Sequence, residues 1–257
     1  MERLTELRTE IARLVKLGVC LAFSGGVDSA LLLALAAEAQ RSGGGEIQAV
    51  TFSTRLHPQS DIDNARRIAG EAGVPLHVIE IDEFSDPEIV QNPPDRCYYC
   101  KQAIFGTILA AAAADGYTVI LDGTNASDDA NDRPGMQALA ELRVLSPLRL
   151  CGLTKDEIRR KSREAGLFTW EKPAYACLAT RIPSGMQITG ELLTRVEGAE
   201  GALFAMGFTD FRVRVREGGA LLQFHRAQME EARARRAEIT EKLKPWFPVL
   251  LPDWEVR

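Results

Sequence analysis

The stretch Val19-Cys20-Leu21-Ala22-Phe23-Ser24-Gly25-Gly26-Val27-Asp28-Ser29 reads as an apolar strand, a glycine-rich turn, and the start of an apolar helix that continues through residues 30–39. Two adjacent glycines let a backbone approach a bulky anion and adopt dihedrals closed to other residues. The helix behind them aims its unpaired N–H groups and the positive end of its dipole at the same point. Ser24 and Ser29 add hydroxyl donors, and Asp28 adds a carboxylate suited to Mg²⁺. No lysine stands in the turn, which separates it from the G-x-x-x-x-G-K-[ST] phosphate loop. Against an ordinary strand–turn–helix joint stands the order of the three parts, which is the order a phosphate cradle requires.

Outward from this turn the chain alternates. Residues 5–17 carry Leu7, Ile11, Leu14 and Val15 on one helical face. Ile47-Gln48-Ala49-Val50-Thr51-Phe52 reads as a second strand and Leu76-His77-Val78-Ile79-Glu80-Ile81 as a third, with a helix over 60–72 between them. A helix over 101–114 leads to a fourth strand, Thr118-Val119-Ile120-Leu121. Strands alternating with helices predict an α/β fold built on a doubly wound parallel sheet. Such sheets bind ligands at the carboxyl ends of their strands. The first turn, Thr51-Phe52-Ser53 and Asp122-Gly123-Thr124-Asn125 all fall there, with Gly123 permitting close approach. Asp128 and Asp129 are candidates for holding a metal or orienting a substrate. The acidic run through Asp132 lacks the glutamate of a calcium loop, and a solvated loop accounts for it equally well.

Beyond residue 180 the pattern changes. Residues 188–206 look helical. Phe211-Arg212-Val213-Arg214-Val215-Arg216 alternates with period two, and a Gly218-Gly219 turn leads into residues 220–225. This predicts a hairpin with one basic face. A charged helix over 227–243 and a last strand at 249–251 complete a smaller C-terminal α+β domain. The predicted division is 1–180 and 181–257.

The 257 residues are 46% hydrophobic, enough for a proper core, and carry a net charge of −5. The acidic balance argues against a protein wrapped in nucleic acid, though not against a local basic groove. No run of 18 apolar residues suggests a membrane span. The charged start Met1-Glu2-Arg3-Leu4-Thr5-Glu6-Leu7 does not read as a signal peptide, so a cytoplasmic location is expected.

The five cysteines are Cys20, Cys97, Cys100, Cys151 and Cys177, an odd number that argues against a disulfide scaffold. Cys20 and Cys151 lie in apolar surroundings and read as small buried hydrophobes. Cys97-Tyr98-Tyr99-Cys100 is a C-x-x-C of the kind shared by redox, zinc and iron–sulfur sites. No second C-x-x-C or local histidine pair completes a zinc site. Cys177, flanked by Lys172 and Arg181, is the natural third thiol, and those cations favour thiolate. Three thiolates without a fourth suit a [4Fe–4S] cluster with one open iron; three unrelated thiols are the alternative. Arg212 and Arg214 share a strand face, with Arg216 next along, and their planar forks suit phosphate or carboxylate; a solvated basic face is the alternative.

The turn at residues 24–29 resembles the PP-loop of ATP pyrophosphatases, which split ATP between its α and β phosphates and leave an adenylated substrate. A wider set of motifs is more specific. It comprises that turn, Arg96-Cys97-Tyr98-Tyr99-Cys100-Lys101, Asp122-Gly123-Thr124-Asn125, Ser146-Pro147-Leu148, Cys177-Leu178-Ala179-Thr180-Arg181-Ile182-Pro183 and the Arg212/Arg214 strand. Together these resemble the LarE family of ATP-dependent sulfur transferases, which serve nickel-pincer cofactor synthesis for lactate racemase. The resemblance implies that ATP is bound by Ser24, Gly25, Gly26, Asp28, Ser29, Thr51, Phe52, Gly123 and Thr124, with Mg²⁺ on Asp28. It implies a nicotinate-derived substrate, pyridinium-3,5-biscarboxylate mononucleotide, met by Arg181, Arg212 and Arg214. ATP would adenylate a carboxylate, and a sulfur nucleophile would displace AMP to leave a thiocarboxylate. Where only the cysteine matching Cys177 exists, its own sulfur is sacrificed and dehydroalanine remains. Where all three exist, the resemblance implies a [4Fe–4S] cluster on Cys97, Cys100 and Cys177 carrying sulfide from an external donor, and this is the expectation here. A homo-oligomer, a hexamer, is also implied.

Three other functions compete. A PP-loop tRNA thiolase can share the turn and the three cysteines, but the acidic balance and the lack of an appended basic or zinc-ribbon module count against it. An amidating enzyme of the NAD or GMP synthetase kind has no use for three such thiols. A nucleotide sensor without catalysis would release no pyrophosphate.

Overall fold

The computed structural model describes residues 2–57, 59–128, 133–172, 175–217 and 219–253. Met1, Asp129, Asp132 and Gly218, named above, lie outside the described residues. The chain forms two compact units. The first comprises Met1–Thr54, Gln59–Glu83 and Asp95–Lys172; the second comprises Arg55–Pro58, Phe84–Pro94 and Pro173–Arg257.

The first unit is built on four parallel strands: β1 (Val19–Ala22), β2 (Ile47–Ser53), β3 (Leu76–Glu80) and β4 (Val119–Leu121). Their order across the sheet is β3-β2-β1-β4. Val19 pairs with Ile47 on one side and with Val119 on the other. Successive residues of β1 serve opposite faces, as the two-residue period of a strand demands. Val19, Leu21 and Phe23 join a core with Leu7, Ile11 and Leu14 of the helix Glu2–Val15 and with Leu31, Leu32 and Leu35 of the helix Val27–Gly43. Cys20 and Ala22 join a second core with Ile104, Phe105 and Ile108 of the helix Arg96–Ala114. A sheet covered on both faces has uniformly apolar strands, which is why β1 reads as an unbroken apolar run.

The helix Val27–Gly43 packs against both Glu2–Val15 and Lys155–Glu164, so apolar residues surround it. Burying each of its leucines contributes about 1.5–3 kcal/mol. Cys20 is fully buried, and burial pushes its thiol up to about 12; burial also raises Cys151. Both behave as packing residues, in line with the sequence reading.

Strand order fixes where a ligand can sit. From β1 the chain winds outward to β2 and β3, then returns to lay β4 on the other side of β1. The loops leaving β1 and β4 therefore diverge at a topological switch point, the usual ligand crevice of such sheets. Leu145 extends this edge by pairing with Leu121, its N–H donating to Ile120 O at 2.9 Å.

The second unit carries the hairpin β5 (Phe211–Arg216) and β6 (Gly219–Phe224), with β7 (Leu250–Asp253) parallel to β6. The helix Gly190–Ala205 begins where the Thr189 hydroxyl accepts from Leu192 N at 3.2 Å. The single charged helix expected over 227–243 is instead two helices, Met229–Ala234 and Arg236–Leu243, broken at Arg235 with φ −96° and ψ 18°. Arg235 donates to Met206 O at 2.9 Å, pairs with Glu231 and Glu238, and lies over the Phe208 ring. These contacts anchor the chain at the bend, which the even charge pattern conceals. Among the described residues no helix is long and apolar enough to cross a membrane.

Candidate active site

At the end of β1 the chain turns sharply. Gly25 has φ +68°, and a Cβ there would meet Asp61 O and Ala65 N at 3.0 Å, so the helix Gln59–Ala72 backs directly onto the turn. Only glycine fits. Gly26 is the N-cap of the helix Val27–Gly43, and among the described residues no side chain caps that helix. An uncapped helix start beside a glycine turn suits an outside anion. The Ser24 and Ser29 hydroxyls lie 3.2 Å apart, and Ser29 Oγ donates to Gly26 O at 3.2 Å. Gly123, at the end of β4, closes the other side: a Cβ there would lie 3.0 Å from Ser29 N. Thr51, buried, and Phe52, half-buried, stand at the same end of β2.

The loop after β4 is held from within. Asp122 is buried, accepting from Ser146 Oγ at 2.6 Å and from the hydroxyl and N–H of Thr124. Burial raises its pKa, and the three hydrogen bonds oppose that rise. Asp128 accepts from Asn125 N at 2.7 Å and Asn125 Nδ2 at 3.1 Å, so its carboxylate closes this loop. Asp28, on the first turn of its helix, has one carboxylate oxygen paired with the Lys155 ammonium. Its other oxygen, Oδ1, is buried and has no hydrogen-bond partner among the described residues. Burial raises the Asp28 pKa, while Lys155 pulls it down. Lys155 opens the helix Lys155–Glu164 behind a capping box, in which Thr154 Oγ1 and Glu157 close on each other's backbone. Lys155 belongs to no phosphate motif legible in the sequence, although Thr154-x-x-Glu157 is a legible helix start.

Cys97 and Cys100 stand near the start of Arg96–Ala114, at the i,i+3 spacing that shares a helix face. Cys100 is buried and receives Arg96 Nη1 at 3.4 Å, while Cys97 is half-buried. All five cysteines are thiols. Among the described residues no three His, Cys, Asp or Glu side chains are gathered to hold a metal ion.

Cys177 belongs to the second unit. It is half-buried and caps the short 3-10 turn Leu178–Arg181. Its carbonyl accepts from Thr180 N at 3.0 Å and Thr180 Oγ1 at 2.8 Å. Arg181, wholly buried, donates to Glu200 at 2.8 and 3.0 Å, to Ala176 O at 3.0 Å and to Thr180 Oγ1 at 2.8 Å. Glu200 also receives Tyr175 Oη and Val213 N. Burial raises the Tyr175 pKa strongly, and the Glu200 charge adds to the effect. Both Arg181 and Arg212 stack on the Tyr175 ring. Arg212 donates to Phe211 O, while Arg214 bonds Gln223 Oε1 at 2.6 Å and Thr180 O at 2.9 Å. The second unit thus gathers Arg181 and Arg212 on Tyr175, fastens Arg181 to Glu200, and ties Arg214 to Thr180 in the turn that follows Cys177. Tyr175 and Glu200 belong to no motif legible in the sequence, though Glu200 sits on the buried stripe Leu193, Val196, Ala199, Leu203, where a carboxylate is out of place.

The family described as asparagine synthase matches residues 8–129. The chain is 32% identical, over 82% of its length and 76% of the other's, to pyridinium-3,5-bisthiocarboxylic acid mononucleotide synthase of Lactiplantibacillus plantarum. It belongs to the LarE family. An uncharacterized protein of Synechocystis is 36% identical over 82% of this chain and 78% of its own length. The tRNA-specific 2-thiouridylase MnmA of Streptomyces avermitilis is 31% identical, but the match spans 62% of this chain and 52% of that protein. The first unit of this LarE-family protein is therefore the PP-loop α/β domain, and the chain is an ATP-dependent enzyme.

Proposed function

We propose that the protein uses ATP to adenylate a carboxylate of pyridinium-3,5-biscarboxylate mononucleotide and then exchanges AMP for sulfur, giving a thiocarboxylate. The observation that carries this reading is the glycine turn at residues 24–29, whose Ser29 lies against Gly123 at the β1/β4 switch point, in a chain of the LarE family. A carboxylate is a poor electrophile until an adenylate makes AMP its leaving group. In this reading Ser24, Gly25, Gly26 and Ser29 cradle the phosphates. Thr51, Phe52, Gly123 and Thr124 border the nucleotide, and Asp28 takes Mg²⁺. The buried Oδ1 of Asp28, lacking a hydrogen-bond partner among the described residues, fits a hard cation. Arg212 and Arg214 meet the anionic substrate by their fork geometry. Arg181, committed to Glu200 and to the backbone around Cys177, acts behind them as an anchor.

The sulfur source has two readings. Three thiols, two of them one helical turn apart, are the soft donors an iron–sulfur cluster takes, so Cys97, Cys100 and Cys177 would hold [4Fe–4S]. When bound, the cluster supplies an iron open to sulfide from an external donor. In the second reading Cys177, a half-buried thiol that starts the Leu178–Arg181 turn, gives up its own sulfur. The enzyme works as a homo-oligomer in either reading, a hexamer by family resemblance.

Anaerobically purified protein is incubated with ATP, Mg²⁺ and the biscarboxylate nucleotide. Pyrophosphate release matched by a thiocarboxylate product is expected. Salt-sensitive tRNA binding with thiouridine formation, and no pyrophosphate release with the nucleotide, would refute the proposal.

A further inference from the structure

We infer that Lys155 is a phosphate-binding residue held in reserve on Asp28, and that MgATP moves it from the carboxylate to the triphosphate. The inference rests on the reading of Asp28 as the Mg²⁺ ligand of an ATP site, and deepens it.

Lys155 and Asp28 are 127 residues apart in sequence, yet their side chains form an ion pair. The backbone of Lys155 is fixed independently. Its N–H donates to Ser127 Oγ at 3.0 Å, and Ala126 N donates to Leu153 O at 2.8 Å. The start of the helix Lys155–Glu164 is thereby tied to the loop after β4, while the Lys155 ammonium reaches the turn after β1. It spans the two loops that frame the crevice.

A lysine is poorly placed at the first position of a helix, where the dipole favours acidic residues such as the neighbouring Asp156 and Glu157. Local preference is broken here, as commonly happens at functional positions. A second cation acting on Asp28, Arg159, is committed elsewhere. Arg159 donates from Nη1 and Nη2 to Trp170 O and Lys172 O, at 2.6 and 2.8 Å. Lys155 therefore neutralises the partly buried carboxylate, whose side chain is 19% exposed. It does so through Oδ2, and among the described residues Oδ1 has no hydrogen-bond partner.

A divalent cation bound to that carboxylate brings two positive charges beside one ammonium. Like charges at ion-pair distance repel, so the ammonium must leave. The helix start keeps the lysine within its own side-chain length of the crevice, and the phosphates brought by the metal offer new acceptors. One carboxylate–ammonium contact is exchanged for a carboxylate–metal contact and an ammonium–phosphate contact. The lysine can then follow the negative charge that develops on departing pyrophosphate.

The test uses the full chain, with Mn²⁺ alone observed by electron paramagnetic resonance and MgATP by calorimetry. Lys155→Met should bind Mn²⁺ tighter by on the order of tenfold, because the competing cation is gone. The same variant should bind MgATP weaker by on the order of tenfold or more, because charge-assisted bonds are lost. Lys155→Arg should keep Mn²⁺ affinity near that of the unaltered protein. A purely structural tether would lower stability without tightening Mn²⁺. If Lys155→Met folds poorly, Lys155→Gln gives the same comparison. Unchanged Mn²⁺ and MgATP affinities in the charge-removing variant, while Asp28→Asn loses Mn²⁺, would overturn the role of Lys155 alone. Mn²⁺ binding that survives Asp28→Asn would overturn both this role and the reading of Asp28.

Discussion

The guanidinium of Arg181 meets the carboxylate of Glu200 at two points, 2.8 and 3.0 Å, with both side chains essentially out of water. Arg181 lies four residues beyond Cys177, and Tyr175, two residues before it, bonds the same carboxylate. The segment bearing the thiol is thus fastened on both sides to one residue of the helix Gly190–Ala205. Removing one partner of a buried pair strands the other charge. Glu200→Ala is expected to cost about 3–5 kcal/mol of stability. Tyr175→Phe, which removes a hydroxyl and leaves the charge pair, should cost about 1–3 kcal/mol. Urea unfolding of the two variants checks the order; a Tyr175→Phe loss as large as that of Glu200→Ala would contradict it.

Gly123→Ala tests the closeness of the two loops. The added methyl would press on the backbone N of Ser29, which cannot rotate away as a flexible side chain would. Pyrophosphate release should fall at least about tenfold, since small displacements at a reacting site are costly. Overpacking of this kind costs about 1–3 kcal/mol, so most of the protein stays folded. Activity assay and far-ultraviolet circular dichroism on one preparation separate the effects; full activity would show that the loops yield.

Much of the fold is legible because each element announces its own period. The apolar run at Val19, the two-residue alternation at Phe211 and the glycine turn between β1 and its helix all read locally. Pairings across long separations do not. Asp28 stands out beside its glycines, whereas Lys155 becomes notable only when the helix it opens is brought 127 residues back. Glu200 looks like one more charge until its neighbours Val196 and Leu203 prove buried with it. The bend at Arg235 is invisible because the charges run evenly through it, while the contact to Met206 O that holds it comes from a distant segment.

Asp122 should leave a mark on the pH dependence of stability. Its folded pKa is raised, chiefly by burial, above the ordinary value of about 3.9. Between those two values the folded protein binds more protons than the unfolded chain. Stability from this group is therefore greatest at low pH and declines as pH rises from the unfolded value to the folded one. Asp122→Asn removes that titration, and the Ser146 and Thr124 hydroxyls can turn to suit an amide. Unfolding free energies measured from acid to neutral pH should show the variant gaining on the unaltered protein across that window, then a constant difference above it. A difference independent of pH throughout would show that Asp122 titrates alike in both states.

The thiols should divide by chemistry. Cys20 is fully buried with its thiol pushed up to about 12, so little thiolate forms near neutrality and a disulfide reagent should not reach it in the folded state. Cys97 and Cys177, both half-buried, should react first. Replacing Cys97 or Cys100 by Ser removes one of three proposed cluster ligands. Bound iron and acid-labile sulfide should then drop to background, and repeated turnover should stop. Cys177 would still be present in such a variant, so a single turnover at its expense remains chemically open. Loss of its sulfur leaves dehydroalanine, which intact-protein mass spectrometry reads as the loss of one H₂S per chain. In the reconstituted, unaltered protein that loss should be absent while product accumulates past one equivalent. If instead the loss at Cys177 keeps pace with product, the residue is itself the sulfur donor, and the pair Cys97 and Cys100 needs another role.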